Sequence, residues 1–289
     1  MPAAPLDPRA WRDPWLPRAF VVAWLVALAL VWGTRLGPLG GLAAHLTGAP
    51  PVGVGLKLLV SLYAAALPAS VALYSARFDR SPWLGLLAFP LVWSDALVAG
   101  HLTFCLGLPA LLVALAALDA VVEKRTPARV ATLLVAGTLA AAALRELPWR
   151  GPAAPLGESL GELYRRVLVG WWPGTVDELC LLALVTTWLA LAATAPAADE
   201  PPPPITPRTF APELFFVVAA LAYLMMPAHL AAPAQGPTDP SRLALAAALF
   251  GTTLIRGRVD GARRWLMLPA LAVAVAFPLL VLSHFRGTP

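Results

Sequence analysis

The sequence predicts an all-α fold, a polytopic integral membrane bundle of about nine transmembrane helices. Three observations support this prediction. Hydrophobic residues occupy 59% of the 289 positions and charged residues only 13%, whereas a soluble domain has about 45–50% and about 25%. Mean hydropathy is +0.74. Leu- and Ala-rich runs recur at lengths near the roughly 20 residues that cross a bilayer, so the lipid bilayer is the expected partner.

Charge and cysteine content exclude several function classes. The net charge is +5, but the 21 cations are spread over short segments between apolar runs, so we expect no nucleic-acid partner. Cys105 and Cys180 each lie inside an apolar run. Two cysteines cannot form a disulfide framework or a four-ligand zinc site. We therefore expect both to be small core residues and predict no metal site; cofactors and oligomeric state stay open.

Residues 1–195 are predicted to hold a cytoplasmic N-terminal segment at 1–18 and a six-span bundle at 19–195. We interpret the first span as a retained signal anchor, because no small-x-small cleavage site follows it and further spans lie downstream. The six predicted spans are 19–32, 52–76, 84–99, 102–122, 130–144 and 176–195.

The apolar stretch 84–122 must fold back on itself. It holds 39 nearly unbroken apolar residues, which as one helix would extend about 58 Å, twice the thickness of the hydrocarbon core. Gly100 and His101 combine a flexible residue with a polar one, so we predict a tight turn there.

The rest of the chain divides into a surface segment, a linker and three spans. Apolar residues recur at helical spacing near 156–168, which predicts an amphipathic helix on the outer face. A Pro-rich linker is predicted at 196–212. The three-span segment 213–289 follows, with spans at 213–226, 243–255 and 265–283.

The distribution of cations predicts the orientation. Segments on the side of the N-terminus carry 13 Lys or Arg residues, and those on the other side carry 7. The positive-inside rule then places the N-terminus in the cytoplasm. Lys57 and Lys124 are the only lysines among the 21 cations, and this excess of Arg, with the Ala, Pro and Gly content, is typical of GC-rich bacterial genomes, so we expect a bacterial inner membrane. All four histidines, His45, His101, His229 and His284, fall at the outer face. Two interpretations stay open: a shared metal or proton role, or unrelated interfacial side chains.

Asp95 is the candidate catalytic residue. It lies in an apolar segment without cations, and a carboxylate in hydrocarbon costs at least about 2.5–3.5 kcal/mol unless it faces a cavity or a partner. A pocket acid and a structural hydrogen-bonded acid are both open. His101 and His45 are the expected partners and binding candidates, and Arg145 and Glu146 are binding candidates at an outer helix end.

Other polar residues read as structural. Asp119 and Glu123 lie four apart on one helix face next to Lys124 and Arg125, which predicts an interfacial charge cluster. Lys57 is expected to extend its ammonium toward a span end. The chain has no Walker A, GxGxxG, HExxH or GxSxG motif, so these motifs give no support for nucleotide-driven transport, metalloprotease or serine-hydrolase activity.

Two blocks carry a family resemblance. They are YAAALPASVALYSARF followed by FPLVWSDALVAGHLTFCLGLPALLVALAAL, and AYLMMPAHLAAPAQGPTDPSRLALAAALF. Together they resemble a group of uncharacterised bacterial multi-pass membrane proteins similar in layout to the GT-C glycosyltransferases. The resemblance covers about a third of the chain and implies transfer from a lipid-phosphate-linked sugar, with a carboxylate in the first outer loop as base or metal ligand.

The chain departs from that pattern in its first outer loop. LGPLGGLAAHL holds His45 but neither Asp nor Glu. A degenerate relative, or one that uses Asp95 instead, fits this departure. The function classes that stay open are a GT-C-like lipid-linked sugar transferase or degenerate relative, a non-catalytic membrane scaffold, and a small-solute transporter.

Overall fold

The computed structural model describes residues 13–33, 54–98, 101–144, 163, 167, 176–194, 207–225, 241–257, 259 and 261–287. Helices dominate these ranges, as the sequence predicts. The α-helices in the described part of the chain are α1 (Trp15–Gly33), α2 (Val54–Arg77), α3 (Asp95–Val98), α4 (Leu102–Glu123), α5 (Pro127–Leu144), α6 (Val176–Ala193), α7 (Pro207–Leu224), α8 (Ser241–Thr252) and α9 (Leu268–Gly287). Within the same described ranges, 3₁₀ helices occupy Pro82–Ala88, Pro90–Trp93 and Gly261–Met267.

Among the residues that the structure describes, four helical segments are long and apolar enough to cross a membrane: Trp15–Trp32, Val54–Arg77, Leu102–Glu123 and Gly261–Leu280. Three further helices, α5, α6 and α7, have 18 residues each, or about 27 Å at the rise of an α-helix. The described residues therefore contain seven α-helices of 18 residues or more. This is two fewer than the nine predicted spans, because the predicted spans 84–99 and 243–255 are broken or short.

The predicted span 84–99 is the clearest difference from expectation. It is two consecutive 3₁₀ helices followed by the single turn α3, rather than one α-helix. Pro82 and Pro90 each open a 3₁₀ helix, and a proline cannot donate an i→i−4 hydrogen bond. Every residue from Pro82 to Trp93 is buried, so this irregular backbone is surrounded by protein on all sides.

Gly85 allows the irregular segment to lie directly against α2. A Cβ at this position would lie 2.6 Å from the carbonyl oxygen of Pro68 and 2.7 Å from the ring of Phe20. Small residues permit such close backbone approach between membrane helices. Phe20 also packs edge-on against Phe89, with ring centroids 5.6 Å apart, which joins α1 to the same segment.

The C-terminal third also differs in its boundaries. The linker predicted at 196–212 is wrong at its C-terminal end, because α7 begins at Pro207; proline suits the first turn of a helix, where its missing N–H has no partner to lose. Helix α8 has only 12 residues. Of the amphipathic segment predicted near 156–168, only Leu163 and Val167 are described, and both pack against the core.

One hydrophobic cluster connects the described helices. Helix α1 packs on α2 and α9, α2 packs on α4 and the first 3₁₀ helix, and α7 packs on α8. Helices α8 and α9 also contact the 3₁₀ segment, so helices from both sides of the predicted linker share one core. Cys105 and Cys180 are both buried in this cluster, which confirms their predicted core positions.

Candidate functional site

The turn that precedes α4 brings two polar side chains together. His101 is the N-cap residue of α4, and its backbone N–H donates to the carbonyl oxygen of Ala96, 2.9 Å away. Its ring Nδ1 lies 2.5 Å from a terminal nitrogen of Arg242 in the first turn of α8. Because a guanidinium only donates, Nδ1 is the acceptor in this contact. The predicted break before His101 is confirmed.

Asp95 lies next to this contact along the backbone. It is the first residue of α3, and Ala96, the acceptor of the His101 N–H, follows it directly. Helix α3 packs against both α4 and α8. His101 is the N-cap of α4, and Arg242 is the second residue of α8. The side chain of Asp95 lies outside the described residues, so the predicted hydrogen bond between Asp95 and a histidine stays a prediction.

The other predicted site residues lie outside the described part of the chain. These are His45, Arg145, Glu146 and His229, together with the side chain of His284. The sequence did not single out Arg242 as a partner of His101. The position of Arg242 could have indicated this contact. Arg242 directly precedes the predicted span 243–255, so the predicted topology places it at the same end of the bundle as His101.

The opposite end of the bundle holds a three-helix ion-pair network around Arg77. This side chain, at the C-terminal end of α2, is buried and contacts both Asp119 and Glu123 of α4 at 2.5 Å. Arg208 of α7 lies 3.5 Å from Asp119 and donates to the backbone oxygen of Arg77 at 2.8 Å. The guanidinium of Arg208 thus caps the C-terminal end of α2, where the negative end of the helix dipole stabilises a positive charge.

The predicted charge cluster on α4 therefore has different partners from those expected. Asp119 and Glu123 share one face, as the spacing of four residues predicts. However, neither Lys124 nor Arg125 forms an ion pair with a described carboxylate. The reason is local geometry: the chain leaves the helix at Lys124 in an extended conformation, φ −152 and ψ 115, while the buried Arg77 on α2 lies closer to the shared face.

A second network surrounds Arg80, in the loop after α2. Its guanidinium donates to Glu213 of α7 at 2.9 Å and to the carbonyl oxygen of Thr209 at 3.2 Å. The exposed Arg256, which follows α8, contacts the same carboxylate at 2.6 Å. Burial lowers the pKa of the Arg80 guanidinium, and the neighbouring Glu213 carboxylate opposes that effect. The pair keeps a charged group in an apolar interior, where an unpaired charge would be costly.

These contacts arrange the polar residues at two opposite ends. Arg77, Arg80 and Glu213 lie at one end, and His101 and Arg242 at the other. The segments 80–101 and 242–256 run between the two ends in opposite directions. At 2.0 Å per 3₁₀ residue and 1.5 Å per α residue, Pro82–Val98 extends about 28 Å, so even the irregular segment connects both ends.

Lys57 behaves as the sequence predicts. Its ammonium reaches the C-terminal end of α1, where it donates to the carbonyl oxygen of Trp32 at 3.3 Å and lies 5.7 Å from the centroid of the same indole ring. A lysine near a span end that extends toward helix carbonyls is stabilised by the helix dipole.

The chain has no significant match among protein-family models, curated proteins or solved structures. The GT-C-like resemblance is thus a hypothesis that rests on the quoted sequence blocks.

Proposed function

We propose that this chain is a polytopic integral membrane protein that crosses the bilayer nine times, with its N-terminus in the cytoplasm of a bacterium. The lateral surface supports membrane embedding. Large apolar side chains are exposed along successive helices, including Val22 (49% exposed), Leu58 (56%), Leu134 (63%) and Leu182 (56%). A monomer in water rarely exposes such extended apolar surface, whereas lipid solvates it at no cost.

The position of the irregular segments supports the same proposal. Non-helical backbone is tolerated at membrane depth only where protein or a cavity surrounds it. The 3₁₀ segment is buried throughout, and most side chains of the short helix α8 are buried too. The 3₁₀ segment packs against α1, α2, α8 and α9, and α8 packs against α4 and α7. Both segments would thus cross the membrane inside the bundle, shielded from lipid by longer helices.

The sidedness rests on the two polar ends. The C-terminal end of α2 at Arg77 and the loops that carry Arg80 and Arg256 meet at one end of the bundle. The positive-inside rule assigns this end to the cytoplasm. His101 and Arg242 then lie at the outer face. In each of these contacts, the two residues that meet are predicted to lie on the same side of the membrane as each other. The nine-crossing topology therefore agrees with every contact.

For the activity, we propose binding of a lipid-linked sugar phosphate at the outer end and transfer of its sugar, as a GT-C-like transferase. The single observation that carries this proposal is the contact between Arg242 and His101 beside the first residue of α3. An arginine has five N–H donors in a planar fork and suits phosphate. The imidazole of His101 and the carboxyl of Asp95 would supply proton transfer at the acceptor hydroxyl.

The experiment compares Asp95→Asn with Asp79→Asn in the full-length protein. Asp79 is exposed and has φ 57, a conformation that asparagine tolerates, so the control removes one carboxylate without strain. The assay follows transfer of the sugar from a polyprenyl-phosphate-linked sugar to water in nanodiscs: the bond from sugar to phosphate oxygen breaks, water gives its proton to the base, and polyprenyl phosphate leaves. The rate should fall at least 100-fold in Asp95→Asn and stay unchanged in Asp79→Asn. Arg242→Gln should weaken binding of the polyprenyl phosphate itself.

A non-catalytic scaffold is the second candidate, and the ion-pair networks favour it. They join the ends of α2, α4 and α7 through Arg77 and Asp119, which holds several helices in one arrangement without a substrate. A scaffold would bind no polyprenyl phosphate, and Asp95→Asn would change neither binding nor the phenotype of a deletion strain.

A further inference from the structure

A second site lies at the other end of the bundle, between the start of α1 and the start of α9. A cleft of about 450 Å³ opens there, within the size range of small-molecule sites. We propose that it binds one anionic phospholipid of the cytoplasmic leaflet, with the phosphate held by Arg18 and Arg264. The inference rests on the membrane embedding proposed above, but not on the proposed transferase activity.

The wall of the cleft matches an acyl chain. Val22 lies two helical turns beyond Trp15 in α1, about 10 Å deeper by helical rise, and Leu271 lies on the facing side in α9. Trp83, which is only 6% exposed, also lines the cleft. An apolar slot that continues this far from its mouth can hold several methylene groups along its length.

The mouth of the cleft carries two cations. The guanidinium carbon of Arg18 lies 5.2 Å from the ring centroid of Trp15, and that of Arg264 lies 5.4 Å from the ring centroid of Trp265. A guanidinium over an indole ring is held by cation–π attraction, and this attraction does not use up its N–H donors, which can still bind a phosphate. Neither arginine forms an ion pair with a carboxylate in the described ranges, so charge complementarity favours an anionic head group.

The level of the mouth fits a lipid head group. Trp83 follows Arg80 by three positions, and Arg264 follows the loop of Arg256, so the cleft opens at the end that holds the Arg80 network. Trp15 and Trp265 are 54% and 61% exposed, and tryptophan is enriched where a membrane meets water. Anionic lipids of the cytoplasmic leaflet attract cations at this depth.

The test measures lipid retained by the purified full-length protein, by native mass spectrometry after exchange into equal amounts of phosphatidylglycerol and phosphatidylcholine. Two arginine contacts predict a preference for phosphatidylglycerol of roughly tenfold or more. The double variant Arg18→Gln/Arg264→Gln should lose this preference. The matched control, Lys124→Gln/Arg125→Gln, removes two cations from an exposed turn on the same predicted side and should keep it.

Two further arms identify what is bound. Glycerol phosphate, which has the charge without the chains, should not displace the lipid. Leu271→Trp, which fills the slot, should reduce retention of both lipids. Equal retention of the two lipids by the wild type, or equal loss of preference in the control, would overturn the proposal. Release of the protein from membranes by alkaline carbonate would instead refute membrane embedding, and this site with it.

Discussion

Arg80 and Glu213, separated by 133 positions in the sequence, form a 2.9 Å ion pair between the loop after α2 and helix α7. The side chains are 6% and 19% exposed, so the pair is largely removed from solvent. It joins one end of the early helices to the helix that follows the predicted linker. The loops at this end therefore form one connected polar layer rather than separate turns.

Glu213→Gln should destabilise the protein strongly. The substitution leaves the buried Arg80 without its carboxylate, and breaking a buried pair in this way costs about 3–5 kcal/mol. Arg256→Gln is the matched control, because Arg256 contacts the same carboxylate but its side chain is 59% exposed. An exposed partner contributes less than about 1 kcal/mol. Unfolding in a denaturing detergent should separate the two variants, and equal losses would contradict the buried-pair account.

Arg77→Gln should also lower the free energy of unfolding, by about 3 kcal/mol or more. The substitution removes a positive charge from between the carboxylates of Asp119 and Glu123, so their mutual repulsion increases. It also removes the ion pairs between α2 and α4. Arg125→Gln, in the exposed turn after α4, removes the same charge and should change stability by less than about 0.5 kcal/mol. Thermal unfolding followed by circular dichroism provides the comparison. A stable Arg77→Gln variant would show that the network is dispensable.

Gly85→Ala and Gly137→Ala should have opposite effects. A methyl group at Gly85 would overlap the backbone of α2 at Pro68, and overpacking of this kind typically costs about 1–3 kcal/mol. Gly137, inside α5, has nothing within 4 Å of an added Cβ. Alanine there favours the helix by about 0.5–1 kcal/mol. The midpoint of thermal unfolding should fall for the first variant and stay level or rise for the second.

Reporter fusions test the topology. Fusions placed after Arg125 and after Arg258 should both report the cytoplasm, because the proposed orientation puts the turns after α4 and α8 on the side of the N-terminus. A fusion between α7 and α8, at Gln235, should report the periplasm. A periplasmic signal at either of the first two sites would refute the nine-crossing arrangement.

Much of the helical layout could be predicted from the sequence alone. Apolar runs bounded by charged turns located α1, α2, α4, α5 and α6 to within a few residues, because a long apolar helix satisfies its own backbone hydrogen bonds and needs no partner to define it. The break before His101 followed from length, since 39 apolar residues cannot form one crossing. Even the pairing of Asp119 with Glu123 on one face followed from helical spacing.

Tertiary structure decided the rest. The sequence at 84–99 is apolar enough to predict a span, and only its packing against α2, α8 and α9 allows Pro82 and Pro90 to open 3₁₀ helices in a buried position. The partners of the charged residues were equally beyond local reasoning: Arg77 meets Glu123 across 46 positions and Arg242 meets His101 across 141. Local composition determines where a chain becomes helical, but which distant charges meet depends on how those helices pack.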